Sequence, residues 1–408
     1  MTNDTAILSG MPGQALLGFD ALSFTARKFQ GFRNITPGTH LLWTSETDKA
    51  MRSAVWIISM GAGQTHVVQW DGYNEVLTQP LAAEILAQKQ ALETSETKDT
   101  DLFDCENPPN QAGSNSTTNA DASGLWSRLT ACVSPAVLNR ILVCSSDLWF
   151  CHTTDRVRGS LMLPSEVALN STLSSATNAT TTEQELVFTF GPGERTFGVG
   201  LVGAARTEAA VDSTAHILDK ISQLSNEADL VGEMQFAFLV GMHLGNESCL
   251  QEWWHMVLRL FFRAYRLAEA RPRLTVLFLD TFAAQIKYDS AFLEESIFDH
   301  ASSNTKDLRL CITVYGRRIS ESLEPLASSS SDAAAVLAAF QKLEDELREI
   351  GWDVSGDYLR SGQAMLEDGE MVDLDVDDFE DEDERGEFAA VVVDLDEEGR
   401  QRDLVSWG

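Results

Sequence analysis

Six consecutive residues, Gly198-Val199-Gly200-Leu201-Val202-Gly203, match the G-x-G-x-x-G pattern of a dinucleotide-binding turn. That chemistry needs more than glycines. A strand must end at the first one, a helix must start at the third, and a second parallel strand must follow. Here Gly191-Pro192-Gly193-Glu194-Arg195 separates the motif from the preceding strand-like run, and helical patterning continues after it. The segment reads as a glycine-rich connection over 191–206, with a nucleotide-binding enzyme as the lesser alternative. Cys144, Cys151 and His152 could suggest metal ligands. Zinc sites usually pair ligands two to four residues apart, and no second pair matches. His40, His66, His216, His243, His255 and His300 show no ligand spacing either. Asp280 and Asp289 stand too isolated for an acid/base pair. Neither a G-x-S-x-G elbow nor a G-x-x-x-x-G-K-[ST] loop occurs. No catalytic residue, cofactor or metal site is expected.

Three groups could act in recognition instead. Trp253-Trp254, Phe261-Phe262 and Tyr265 mark the most aromatic helix. Trp254, Leu258, Phe261 and Tyr265 share a face and are assigned to the core. Trp253 falls beside that face, where an exposed tryptophan would anchor an interface. Near the end of the chain, Val391, Val392, Val393 and Leu395 form a β-branched run inside an acidic stretch with no local core to bury it. Such a run favours extended backbone and can add a strand to a partner's sheet edge. Ser328, Ser329, Ser330 and Ser331 precede Asp332 at the start of the last helical segment. Phosphate there would sit near a helix N-terminus, where negative charge is favoured.

The whole chain sets the context for these groups. Its 408 residues carry 62 Asp+Glu against 30 Lys+Arg, a formal charge of −32. A chain so acidic repels a phosphate backbone unless basic residues concentrate somewhere, so direct nucleic-acid binding is not expected and basic proteins are better partners. No stretch of about 18 apolar residues lacks charge, so no membrane span is expected. Met1 to Gly10 lacks the basic and apolar regions of a secretion signal, and the six cysteines are expected as reduced thiols.

The elements that must position these residues change type along the chain. Up to about 190, short aromatic and β-branched runs alternate with Gly and Pro punctuation, as in His40-Leu41-Leu42-Trp43 and Val55-Trp56-Ile57-Ile58. This predicts an antiparallel, sandwich-like β domain over 1–190. Two short helices are expected at Gly124 to Val133 and Ser134 to Val143. Thr94 to Ser123 and Asn170 to Thr182 are poor in apolar residues and expected to be disordered. From 207 to 353 the pattern is helical without a strand. Leu230 to Gly245 is apolar on nearly all sides and is expected as the central helix, followed by helices at Leu250 to Ala270, Leu274 to Tyr288 and Phe292 to Phe298. Residues 354–408 read as an acidic tail. The fold class is α+β, with a β-rich domain, an all-helical domain and a disordered tail.

Four segments resemble the A1 cistron-splicing factor family. The first holds Met11-Pro12-Gly13, Gly18-Phe19-Asp20, Lys28-Phe29-Gln30-Gly31-Phe32 and Ile35-Thr36-Pro37-Gly38-Thr39-His40; the second is Thr154-Asp155-Arg156-Val157. The third and most specific runs from Asp229-Leu230-Val231-Gly232-Glu233-Met234-Gln235-Phe236-Ala237-Phe238 to Leu244-Gly245-Asn246, with Trp253 or Trp254 following. The fourth joins Gly351-Trp352-Asp353 to Val391-Val392-Val393-Asp394-Leu395. The resemblance covers nearly the whole chain. It implies a non-catalytic assembly factor of the U5 small nuclear ribonucleoprotein, supporting pre-mRNA splicing and working in cytoplasm and nucleus. It further implies that such a protein holds the RNase H-like and MPN-like domains of the large spliceosomal core protein, the second through its C-terminal tail. RNA and the particle's helicase are kept away until nuclear maturation. A generic helical scaffold for other basic partners is the alternative.

Overall fold

The computed structural model describes residues 3–27, 29–47, 50–93, 102–106, 116–160, 184–192, 194–198, 200–293, 296–354, 362–365 and 371–374. Residues 1–353 form one compact unit and 354–408 a second.

The first half builds two five-stranded sheets. One contains β1 (Asp4–Ser9), β4 (Gly31–Ile35), β7 (Thr65–Asp71), β8 (Val76–Thr78) and β9 (Leu102–Asp104) in the order β8-β7-β1-β4-β9. The other contains β2 (Gln14–Phe19), β3 (Leu22–Arg27), β5 (Gly38–Ser45), β6 (Ser53–Ser59) and β10 (Leu148–His152) in the order β10-β6-β5-β2-β3. The second sheet is antiparallel throughout. In the first, β1 runs parallel to β7 and β4 parallel to β9. The facing sides share one core, with Ala6, Leu8 and Val68 from the first sheet against Leu17, Val55 and Ile57 from the second.

Strand β6 explains how the rest attaches. A strand with one wet face alternates buried and exposed residues, because successive side chains point to opposite faces. In β6 every residue but Ile58 is buried. Val55 and Ile57 serve the sandwich core, while Trp56 turns the other way and stacks on Phe236 at 5.8 Å. The second sheet is therefore a middle layer, with helices on its far side.

Those helices begin with α2 (Ser116–Leu129) and α3 (Pro135–Ile141), after the mostly exposed α1 (Ala82–Glu93). The Trp126 indole of α2 donates to the Thr39 carbonyl of β5 at 2.9 Å. A two-stranded pairing of β11 (Arg156–Val157) with β12 (Glu185–Leu186) follows. Then come α4 (Gly203–Val211), α5 (Thr214–Ile221), α6 (Asp229–Leu244), α7 (Glu247–His255), α8 (Leu267–Ala270), α9 (Pro272–Phe292), α10 (Ile297–His300), α11 (Ser302–Ala327) and α12 (Ser331–Glu349). Helix α6 is the central one, buried at fifteen of its sixteen positions. Helix α12 packs on α9 and α11. In the second unit, β13 (Gly362–Met365) pairs antiparallel with β14 (Met371–Leu374).

Three expectations are corrected. The stretch from Thr94 to Ser123 is not structureless: Leu102–Asp104 pairs with Gly31, Phe32 and Arg33, and α2 starts at Ser116. Leu102 is buried, and the Phe103 ring stacks on Phe24 at 4.5 Å. Two apolar side chains suffice here because the sandwich supplies the remaining surface. Leu250 to Ala270 is not one helix. The α-helix ends at His255, Met256–Leu260 is a π turn and Phe261–Arg263 a 3-10 turn. Ser213 receives the chain at this break, donating its Oγ to the Leu260 carbonyl at 2.5 Å and its N–H to the Arg263 carbonyl at 3.1 Å. Pro272 to Phe292 is one long helix, so the helix expected at Phe292 to Phe298 begins only at Ile297. Asn170 to Thr182 lies outside the described residues.

Candidate functional site

The family-like residues of α6 form a buried polar hub. Glu233 is fully buried and accepts from the Arg140 Nε at 2.9 Å, the Thr189 backbone N–H at 2.9 Å and the Thr189 hydroxyl at 2.8 Å. Burial pushes its carboxyl above the ordinary glutamate range, against the pull of Arg140 and Thr189. Asp229, one turn earlier on the same face, takes a second Arg140 nitrogen at 3.1 Å. Gln235 accepts from Cys132 N–H at 2.8 Å and donates to the Arg128 carbonyl and the Thr281 hydroxyl. A side chain at Gly232 would collide with the Cys132 carbonyl, so glycine is what lets α6 approach the α2–α3 connection. These polar groups are nearly all satisfied, as buried polar groups must be.

The end of α6 ties to the turn after β10. Gly245 takes φ 63°, the left-handed conformation that closes a helix. Asn246 then caps α7 by accepting from Cys249 N–H at 2.9 Å. Its Nδ2 donates to the carbonyls of His152, Thr153 and Asp155 at 2.9–3.1 Å. The Asp155 carboxylate holds that turn closed, accepting from His152 N–H at 2.6 Å and Gln184 N–H at 2.9 Å. The second and third family-like segments thus meet at one side chain.

The first segment has its own node. The His40 Nδ1 lies 2.7 Å from Asp20 and its Nε2 lies 2.8 Å from the Thr36 carbonyl. Burial works against an imidazolium here, but the Asp20 charge and oxygen acceptors on both ring nitrogens hold the His40 pKa above the usual value. His243, by contrast, is buried beside Arg52 and bonded to the Tyr288 hydroxyl at 3.0 Å, and its pKa falls to about 4. These arrangements lock a fold.

The remaining sequence-derived candidates fall as follows. Trp253 is 1% exposed, packed against Phe238 and Phe282 and hydrogen-bonded through its indole to Gln285 at 3.0 Å. It cannot serve as an exposed anchor, because α7 is covered on both the α6 and the α9 sides. Trp254, Leu258 and Phe261 are core, and Tyr265 is half-buried. Ser328 to Ser330 form the turn between α11 and α12 and Ser331 opens α12, which the Ser330 hydroxyl caps by accepting from Ala333 N–H at 3.3 Å. Gly198, Gly200 and Gly203 lie in an exposed segment whose helix, α4, buries no residue. Among the described residues no parallel strand flanks it. All six cysteines are free thiols; Cys151 is buried, with its pKa pushed well up. Among the described residues no group of three His, Cys, Asp or Glu side chains is placed to hold a metal ion, and no helix is long and apolar enough to cross a membrane. Val391, Val392, Val393 and Leu395 lie outside the described residues.

Sequence reasoning quoted Glu233, Gln235 and Asn246 without seeing their part. The signal was available: charged and amide residues inside an otherwise apolar helical run must find buried partners. A family model described as the AAR2 N-terminal domain matches residues 2–143, and one described as the AAR2 C-terminal repeat region matches residues 188–355. No curated protein gives a significant match.

Proposed function

The chain belongs to the AAR2 family of splicing-related factors, and from that premise we propose that it is a non-catalytic assembly chaperone of the U5 particle. In this reading it binds the RNase H-like and MPN-like domains of the large spliceosomal core protein in the cytoplasm. It keeps RNA and the helicase away until the particle matures in the nucleus. The observation that carries the reading is the match of both AAR2 regions, which together take in the helical layer and all of the sandwich but β10. The acidic charge of −32 suits a chaperone for a basic, RNA-binding partner. Val391 to Leu395 would supply a strand to the partner, and phosphate at Ser328 to Ser331 would tune release through the α11–α12 turn.

Affinity purification of the tagged full chain, with identification of bound proteins, tests the reading. The expected result is enrichment of the large core protein and U5 intermediates. Enrichment of unrelated basic proteins alone would replace it with the generic scaffold reading.

A further inference from the structure

The two sheets of the sandwich end beside each other, one at β8 and the other at β10. The Leu77 N–H of β8 donates across to the Ser53 hydroxyl of β6 at 2.9 Å. Where these edges meet lies a cavity of about 510 Å³, within the roughly 300–1,000 Å³ of ligand sites. Leu77, Leu148 and Phe150 line it and belong to the end of the sandwich core. Asp71 and Gln79 line one bank, and Cys144 and Ser146 the other. Val143, just before Cys144, is a β-branched residue at φ 48°. Strained backbone of this kind gathers at binding sites.

The β10 edge is open at one rung. The Thr153 N–H donates to the Arg52 carbonyl at 3.0 Å. Ladder bonds of an antiparallel pair alternate, so those between β10 and β6 fall on Cys151 and Trp149. Leu148, Phe150 and His152 turn their main-chain groups away from β6. The Leu148 and His152 N–H groups are taken by the Ser146 hydroxyl at 3.2 Å and the Asp155 carboxylate at 2.6 Å. The Phe150 N–H between them has no such cap among the described residues.

The cavity is also one-sided in charge. Among the described residues no Lys or Arg lines it. The two stretches that supply most of its lining, Asp71 to Gln88 and Ile141 to Asp155, contain no Lys or Arg and carry Asp71, Glu75, Glu84, Asp147 and Asp155. Asp71 accepts from the Asn74 Nδ2 at 2.6 Å and the Tyr73 N–H at 2.9 Å, and these bonds hold its carboxyl below the usual range. His152 adds no charge, because burial holds its pKa below the usual value.

We propose that this cavity binds a short extended segment of a partner protein that carries an arginine, its main chain bridging to Phe150 and its guanidinium reaching Asp71. An extended peptide gains main-chain hydrogen bonds on an open strand edge, and pockets for its side chains supply the specificity. One open rung between two capped ones suits a short segment rather than a whole added strand. The apolar lining takes the aliphatic stem of the arginine, as such stems bury while the charge stays at the polar rim. The planar fork of the guanidinium matches a carboxylate. The site lies between β8 and β10, and it depends neither on the tail strand nor on the partner named in the preceding reading.

Fluorescence anisotropy on the full chain tests it. The probes are a labelled valine/threonine pentapeptide with a central arginine, its twin with a central glutamine, and a third with N-methyl groups flanking the arginine. The arginine peptide should bind at least about tenfold more tightly than the glutamine twin and about fivefold more tightly than the N-methylated one. Gln79 is exposed on the bank of the cavity. Gln79→Arg should weaken the arginine peptide about tenfold and Gln79→Glu should tighten it, both with no change in melting temperature. Asp71→Asn should weaken it about tenfold as well. No binding, equal binding of the arginine and glutamine peptides, or equal binding of the plain and N-methylated ones would overturn the proposal. So would indifference to both Gln79 variants, which would mean that the net charge holds the peptide elsewhere on the molecule.

Discussion

Two buried glutamates on neighbouring helices show what pairing is worth. Glu233 has Arg140 and Thr189, and removing such a partner set from a buried charge typically costs about 3–5 kcal/mol. Glu252 is 1% exposed, and neither carboxyl oxygen has a protein hydrogen-bond partner. Burial first, then the charges of Glu233 and Glu194, raise its pKa to about 8. A carboxyl whose folded pKa is raised holds its proton in the fold after the unfolded chain has released it. The stability it contributes is complete below about pH 4.5 and is lost as pH rises through 8. At about 1.4 kcal/mol per pH unit, the loss reaches about 4–5 kcal/mol by pH 9. Glu252→Gln removes the titration and keeps the shape. The variant should match the wild type near pH 5 and gain on it steadily toward pH 9 in urea or thermal unfolding. A gap that does not change with pH would show that Glu252 is already ionised in the fold. His243 titrates with the opposite sign: its pKa of about 4 means stability is lost as pH falls from about 6.5 through 4.

Among the elements, the proposed tail strand makes the sharpest demand. Proline has no N–H to donate to a ladder. Val392→Pro should weaken binding of the large core protein by about 1–3 kcal/mol, read by titration calorimetry. The melting temperature of the free protein should stay where it is. A lowered melting temperature with unaltered partner binding would place the strand on the chain's own sheet instead, where β-rich domains have edges to cover. How far such elements can be read from sequence depends on whether their burial is encoded locally. Strands such as β5 and β6 were legible because aromatic and β-branched runs lie between glycine and proline turns. Helix α6 was legible because it is apolar on all sides. Strand β9 was not, since its only apolar residues are Leu102 and Phe103, and the surface that buries them comes from β4 and from Phe24, far back in the sequence. The helix break after His255 was hidden for the same reason. It is stabilised by Ser213 and by the aromatics of α9 and α11 rather than by a glycine or proline of its own. Trp253 misled because helical periodicity finds one buried face, whereas α7 is enclosed on two. At the hub the residue types were visible and the partners were not. Arg140, Thr189 and Cys132 sit roughly 45 to 100 positions away from theirs.

At the scale of the whole molecule, sequence patterning marks where strands give way to helices, and that change of pattern reads as two domains joined by a glycine-rich connection. Residues 1–353 are one compact unit, and the reason is the double duty of the second sheet. Cut at 190, the β-rich part would lose Phe236 from against Trp56 and Phe188. Trp126 would lose His243 and Tyr288, and Arg140, Thr189 and Cys132 would lose their partners on α6. Each large apolar side chain returned to water costs about 1.5–3 kcal/mol, and each buried polar group left unpaired about 1–3 kcal/mol. A domain's entire stability is about 5–15 kcal/mol. Six such losses are enough to exhaust it. Residues 1–190 expressed alone should therefore bind the dye ANS strongly and lack near-UV circular dichroism. They should also melt without a cooperative transition, while the intact chain melts in one step over residues 1–353. A fragment 1–190 that melts sharply with native-like near-UV dichroism would mean that the sandwich core carries itself. The helical layer would then be an addition to a finished domain, and the hub on α6 would be an interface within the chain rather than part of its core.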